Sequence, residues 1–295
     1  MGKIKGITSF IFYNLPSLSF VGIVIFIPFL ITLYRSFFKF RIGSFEILNF
    51  TGFRNYLWII GDSTFQISFI NSLIIGFAVP LPSVLIALLV AALCNQRFRG
   101  NSLVLSLVVS AWAAPAVIAG RVWKIFFQPH GLISLLGSYL GLCDPSYTML
   151  ADPKFALLSV IIVSIWKFSP FATLIILGGM RTISPELYEA ARIDGASYRD
   201  TFLKITLPLI GRYMNIAILF VGMFTAATVD LVYSLTGGGP GYASEILSSY
   251  TYKMFFLQQD FGKGSAIAMI LILWSLISLA PLLYFIYKQT FRRES

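Results

Sequence analysis

Separate stretches of mostly apolar residues, at positions 15–38, 67–93, 103–123, 155–178, 209–235 and 266–287, decide what this chain can become. A hydrocarbon core about 30 Å thick takes about 20 helical residues to cross, and each stretch is of that length. Lipid offers the backbone no hydrogen-bond partner, so a crossing segment must satisfy itself as a helix or close into a barrel. A water-soluble domain could not cover this inventory: 57% of the 295 residues are hydrophobic and 12% charged, with mean hydropathy +0.83. The expectation is an all-α membrane protein with about six transmembrane helices. No soluble segment is large enough for its own core, so residues 1–295 read as a single membrane domain.

Charge then orients the spans. Lys3 and Lys5 precede the first span as in a signal peptide, but the apolar run is too long and lacks a small-residue cleavage pattern, which makes it an uncleaved anchor. Arg97, Arg99, Arg181, Arg192, Arg199, Lys204, Arg212, Lys288, Arg292 and Arg293 all fall on the side that also holds the N-terminus. The opposite loops carry fewer, namely Lys39, Arg41, Arg54, Lys154, Lys253 and Lys263. The positive-inside rule puts both termini in the cytoplasm. The net charge of +10 is thus mostly a topology signal, dispersed over short loops instead of gathered on a nucleic-acid-binding face.

Chemistry-bearing residues are sparse. Cys94 and Cys143 are far apart with no Cys-x-x-Cys spacing, and the single His130 lies between Pro129 and Gly131 without partner ligands, so neither a disulfide framework nor a metal site is expected. Two outer segments, 40–66 and 124–154, are long enough for short interfacial helices. A third begins Thr236-Gly237-Gly238-Gly239-Pro240-Gly241, where no Lys-Ser or Lys-Thr follows as a P-loop requires. A sharp turn is the better reading of the glycines, and the Tyr- and Phe-bearing segment 244–256 is expected at headgroup level. No cofactor is expected.

Between the fourth and fifth spans lies a charged island, about 181–208. Ser184 can cap a helix, Pro185 suits its first position and Glu186 favours its positive end, so a helix should run to about Asp194 and break at Gly195. Ser197 and Asp200 offer a second capping box leading into 198–206 before Pro208. The expectation is a short pair of helices joined by a glycine elbow. Helices this short are marginal alone in water. Leu187, Ala190, Ala191 and Asp194 share one side, suited either to a cleft on another protein or to packing on the chain's own bundle.

Glu189-Ala190-Ala191, then Gly195, then Ile205-Thr206-Leu207-Pro208, resembles the loop that identifies membrane subunits of binding-protein-dependent ABC importers. The stretches Phe50-Thr51-Gly52-Phe53-Arg54-Asn55-Tyr56, Arg97-Phe98-Arg99-Gly100, 166–171 and Leu235-Thr236-Gly237-Gly238-Gly239-Pro240 resemble its carbohydrate-uptake branch, the maltose and glycerol-phosphate permeases. The resemblance covers nearly the whole chain. It implies that the short helix docks in a groove of a cytoplasmic ATPase subunit, with Glu189 meeting polar or basic groups, Ala190 and Ala191 allowing close contact, Asp194 on the same face and Gly195 as the elbow. It further implies a second permease, two ATPase subunits that bind the ATP, an external solute-binding protein and a carbohydrate substrate.

Lys167 sits mid-span, where a charge is costly and normally faces a cavity or a partner. With Phe168 and Phe171 beside it, and Phe224, Thr225, Thr228 and Asp230 in the next span, it marks a candidate pathway. Aromatic faces suit sugar C–H surfaces and hydroxyls need placed partners. Each residue also has a plain packing reading, since membrane Ser and Thr often bond their own preceding turn. Where relatives are expected to carry amides this chain has Ala226 and Val229. The rival readings are an ion-coupled carrier, for which only Asp230 approaches a midplane carboxylate, and a membrane enzyme, for which no catalytic set converges.

Overall fold

The computed structural model describes residues 13–41, 49–96 and 98–291; Lys3, Lys5, Arg97, Arg292 and Arg293, used above to orient the chain, lie outside the described residues. The first helix, α1 (Tyr13–Ser36), leads into a two-residue antiparallel ladder, β1 (Phe38–Lys39) with β2 (Asn49–Phe50). Then follow α2 (Arg54–Gly61), α3 (Ser63–Ala78), α4 (Pro80–Cys94), α5 (Asn101–Ala113), α6 (Ala116–Phe126), α7 (Leu132–Tyr139), α8 (Pro153–Arg181) and α9 (Pro185–Ile193). The chain continues as α10 (Tyr198–Ala226), α11 (Val229–Leu235), α12 (Leu247–Tyr252) and α13 (Phe261–Phe291). Among the described residues, 5 helical segments are long and apolar enough to cross a bilayer: α1, α3 with α4, α8, α10 and α13. The pair α5 and α6 brings the number to 6 if taken as one broken span, in line with the expected all-α membrane fold.

Three expected elements differ in form, each for a physical reason. The span expected at 103–123 is bent by 99°, because Pro115 has no N–H and holds Ala114 extended at ψ 135°, ending one helix before the next begins. The span expected at 209–235 stops at Ala226, and α11 restarts after Thr228 at ψ 64°. No breaker residue causes this second break; α11 instead packs on α6, where Gly120 leaves no room for a Cβ beside Ser234 Oγ. Finally, the second helix of the expected pair is not separate: residues Tyr198–Thr201 run through a π-helical turn at Phe202–Thr206 straight into the next span.

By their contacts the residues divide into Met1–Asp62 with Thr251–Ile272, and Ser63–Tyr250 with Leu273–Ser295. In the first unit the Asn55 amide donates to the Ser36 and Phe38 carbonyls at 2.8 and 2.9 Å, and Phe53 packs edge-on against Phe37 at 5.4 Å. Arg41 bridges to Asp260, and the Lys263 ammonium lies 3.5 Å from the centre of the Trp58 ring. Gly262 donates to the Phe40 carbonyl, and a Cβ there would collide with the Phe38 carbonyl oxygen. Main chain cannot swing aside as a side chain can, so Gly262→Ala should cost about 2 kcal/mol. Gly61→Ala, in open space, should cost nothing. Thermal unfolding of the two variants in detergent checks the contrast.

In the second unit α8 is the central helix, with 61% of its apolar window buried against 39% for α3 with α4. It packs on α4, α5 and α10. Ala87 and Ala91 of α4, Ala172 of α8 and Ala217 of α10 are fully buried, the small residues that let membrane helices approach closely. The first half of the segment expected at headgroup level packs inside the chain. Ser244 through Tyr250 are all buried, and Asn71 of α3 donates to the Ala243 and Glu245 carbonyls while Ser72 Oγ accepts from Leu247 N–H. Without those side chains the segment's main chain would enter the core unsatisfied. Between α6 and α8, Tyr147 Oη donates to Asp152 at 2.9 Å, and burial, with that carboxylate second, pushes the phenol up to about 12. His130 is a loop residue at φ 58°, donating its N–H to the Pro145 carbonyl.

Candidate coupling surface and aromatic wall

Helix α9 follows Ser184, whose backbone takes the N-cap conformation without a side-chain cap, and Pro185 occupies the first turn. Its C-terminus is closed by a Schellman motif. Gly195 adopts φ 75° and donates to the Arg192 carbonyl at 3.1 Å, while the Ala196 N–H reaches the Ala191 carbonyl at 2.9 Å. The Ser197 hydroxyl then accepts from Asp200 N–H at 3.1 Å and starts α10. The spacing from Glu189 to Gly195 is therefore that of a helix and its left-handed stop.

Burial sorts the residues of α9 by face. Ala191 is 7% exposed and Tyr188 half-buried, its hydroxyl 3.2 Å from Thr206 Oγ1, so this side holds the helix to its own chain. The opposite side presents Glu186, Glu189, Ala190 and Ile193 to the outside, with Leu187, Asp194 and Gly195 also exposed. The row of Leu187, Ala190, Ala191 and Asp194 read from helical spacing is thus divided: Ala191 turns inward. Ile193, 86% exposed, is the residue that row left out. Helical spacing puts Ile193 three residues after Ala190, a signal by which that row could have included it.

Lys167 ties the broken end of α5. Its ammonium is buried and donates to the carbonyls of Ala111, Trp112 and Ala114, at 3.3 and 2.7 Å for the first two. These are the last carbonyls of α5, which the break at Pro115 leaves without helical partners. Nothing in lipid would replace them, and all three ammonium protons are committed. Thr225 is buried and donates to the Val221 carbonyl of its own preceding turn at 2.7 Å. Thr228 is buried at the break after α10, and Asp230 is exposed in the first turn of α11.

The aromatic residues do come together. Phe171 of α8 lies 5.0 Å from Phe224 and 5.8 Å from Phe220, both of α10, and 5.2 Å from Trp112 of α5. Phe168 stacks behind Phe224 at 5.9 Å and is itself buried. Phe171 and Phe224 are half-buried, and Trp112 and Phe220 each 37% exposed, so three helices share one open aromatic wall. Trp112 and Phe220 escaped the sequence reading because their partners are distant in sequence. Trp166 instead packs edge-on against Trp123 of α6 at 5.5 Å.

A polytopic bundle of apolar helices with one amphipathic helix outside the spans defines an integral α-helical membrane protein. The chain belongs to the binding-protein-dependent transport system inner membrane components, whose family profile matches residues 74–293. The trehalose/maltose transport system permease protein MalF of Thermococcus litoralis is 32% identical over 246 residues, 83% of this chain and 81% of that protein. The sulfoquinovosyl glycerol transport system permease protein SmoG of Agrobacterium fabrum is 31% identical over 258 residues, 87% of this chain and 83% of that protein. These relatives place the chain in the carbohydrate-uptake branch of the ABC permeases. A crystal structure of a bacterial ABC transporter that imports the acidic polysaccharide alginate shares the fold, with TM-score 0.74 at 21% identity over 98% of both chains.

Proposed function

We propose that the chain forms one half of the translocation path of an ATP-driven importer for a sugar, an oligosaccharide or a sugar derivative, and that α9 seats in a cytoplasmic ATPase subunit. The observation that carries the reading is the two-sided character of α9: Ala191 and Tyr188 hold it to the spans, while Glu189, Ala190 and Ile193 stand free for a partner. Both termini would then lie in the cytoplasm. A second permease completes the path, two ATPase subunits bind and hydrolyse the ATP, and this chain contributes no catalysis. A solved alginate transporter in complex with a periplasmic protein carrying an alginate pentasaccharide supports an external solute-binding protein as the donor. ATP-driven closure of the ATPases moves α9, and with it the packed helices α8 and α10, between two discrete arrangements.

The wall of Trp112, Phe171, Phe220 and Phe224 is where a sugar ring would stack, with Phe168 as backing. Lys167 supports that wall by fixing the broken end of α5 next to Trp112 and lends no proton to substrate. Proteoliposomes containing the permeases, the ATPase and the binding protein test the whole reading. Uptake should need internal ATP and no ion gradient; uptake driven by a gradient alone would return the chain to the ion-coupled class. In the same vesicles Phe171→Ala should raise KM about ten-fold, the loss of about 1.4 kcal/mol of stacking and burial, with basal ATP hydrolysis unchanged.

A further inference from the structure

The inner side of α9 and the neighbouring ends of α4, α5, α8 and α10 border an open cavity of about 910 Å³. Its walls include Arg181 from the end of α8 and Arg192 from α9, both exposed on its open side, and no carboxylate among the described residues lines it. The neutral polar groups there are largely spent on one another. Asn101 donates to the Cys94 and Gln96 carbonyls at 2.7 Å each, the Gln96 amide reaches Tyr198 Oη at 3.3 Å, and Tyr188 pairs with Thr206. Neither the Arg181 nor the Arg192 guanidinium has a hydrogen-bond or ion-pair partner among the described residues, whereas Lys204 is paired with Asp200 at 2.7 Å and Arg212 lies over Tyr213. Two guanidinium forks therefore border this opening with no carboxylate among its described lining residues to receive them.

Guanidinium groups bind phosphate oxygens in pairs, and a basic pocket between the ends of membrane-spanning helices sits at the depth of lipid headgroups. We infer that this cavity binds a phosphate-class anion between Arg181 and Arg192, the headgroup of an anionic phospholipid and free phosphate being the two sources. The anion joins α9 to the end of α8 from behind. Binding itself stands without the coupling reading; only an effect on transport would rest on it.

The full-length chain in nanodiscs of phosphatidylcholine, with or without phosphatidylglycerol, tests the site by thermal unfolding and by native mass spectrometry of retained lipid. Phosphatidylglycerol should stabilise the wild type. The Arg181→Gln, Arg192→Gln double variant should bind it about thirty-fold more weakly, and each single variant about five-fold, as two cations each lending a similar share require. The charge-matched Arg54→Gln, Arg199→Gln variant should behave as wild type. Inorganic phosphate added in detergent separates the sources: protection by it at millimolar levels identifies the free anion, protection by phosphatidylglycerol alone the lipid. The site is overturned if neither probe binds, if the cavity variants keep wild-type affinity, or if the charge-matched control loses as much. None of these measurements involves ATP or the ATPase, so a failure here leaves the transport reading intact.

Discussion

Lys167→Met is expected to lower the unfolding midpoint of the chain in detergent by about 5 °C, the equivalent of about 3 kcal/mol for a protein of this size. The ammonium closes three carbonyls at the end of α5, and methionine would leave them buried with no donor, each at a cost of about 1–3 kcal/mol before relaxation. Lys167→Arg retains a cation and should show a smaller drop. The same variants separate the two roles that a mid-span lysine can have. A lysine that binds substrate would give a methionine variant of normal stability and raised KM. A lysine that ties a broken helix gives loss of stability first, with the aromatic wall disturbed because Trp112 supplies one of the carbonyls. An unchanged midpoint for Lys167→Met would remove the strut role.

Gly195→Val should cut ATP-driven uptake at least ten-fold while leaving membrane insertion normal. The residue closes the Schellman motif at φ 75°, a region where an L side chain costs about 1–2 kcal/mol and a β-branched one is stiffest. No neighbour lies within 4 Å of where its Cβ would be, so the cost is conformational and not a clash. That makes Gly195→Asn the discriminating control, since asparagine tolerates the left-handed region and should keep most of the uptake. The helix it terminates has only 9 residues and little stability of its own, so losing the stop loosens the whole element. Uptake and ATP hydrolysis measured together in proteoliposomes decide it. Equal transport per ATP in wild type and the valine variant would detach α9 from energy coupling.

Much of the architecture could be read residue by residue. The apolar runs marked about six spans, of which the structure keeps five as long helical segments and breaks the sixth, because length and hydropathy alone mark a crossing segment. The helix at 185–193 and its stop were legible because capping and left-handed backbone are local properties of Pro185 and Gly195. Local chemistry also gave a warning that hydropathy masked: Pro115 inside the third apolar run meant a break, and a break in lipid meant orphaned carbonyls seeking a donor. Lys167 was that donor, some fifty residues on, and no local rule connects the two.

The candidate pathway divides along the same line. Phe171 and Phe224 were named from composition, but the ring from α5, Trp112, and the second ring from α10, Phe220, joined them only through packing. Thr225 gives its proton to its own helix, which the sequence alone could not show. Segment 244–256 looked interfacial by its tyrosines and phenylalanines, yet its first half is drawn inside by Asn71 and Ser72. By itself, then, the sequence determined that this chain lives in a bilayer, roughly where its apolar runs lie, and which short helix stands apart from the spans. Those follow from solvent preference and short-range geometry. Which side of that helix faces outward, which polar groups serve the backbone and which rings share a wall were decided only in three dimensions, because each depends on atoms that meet across distant parts of the chain.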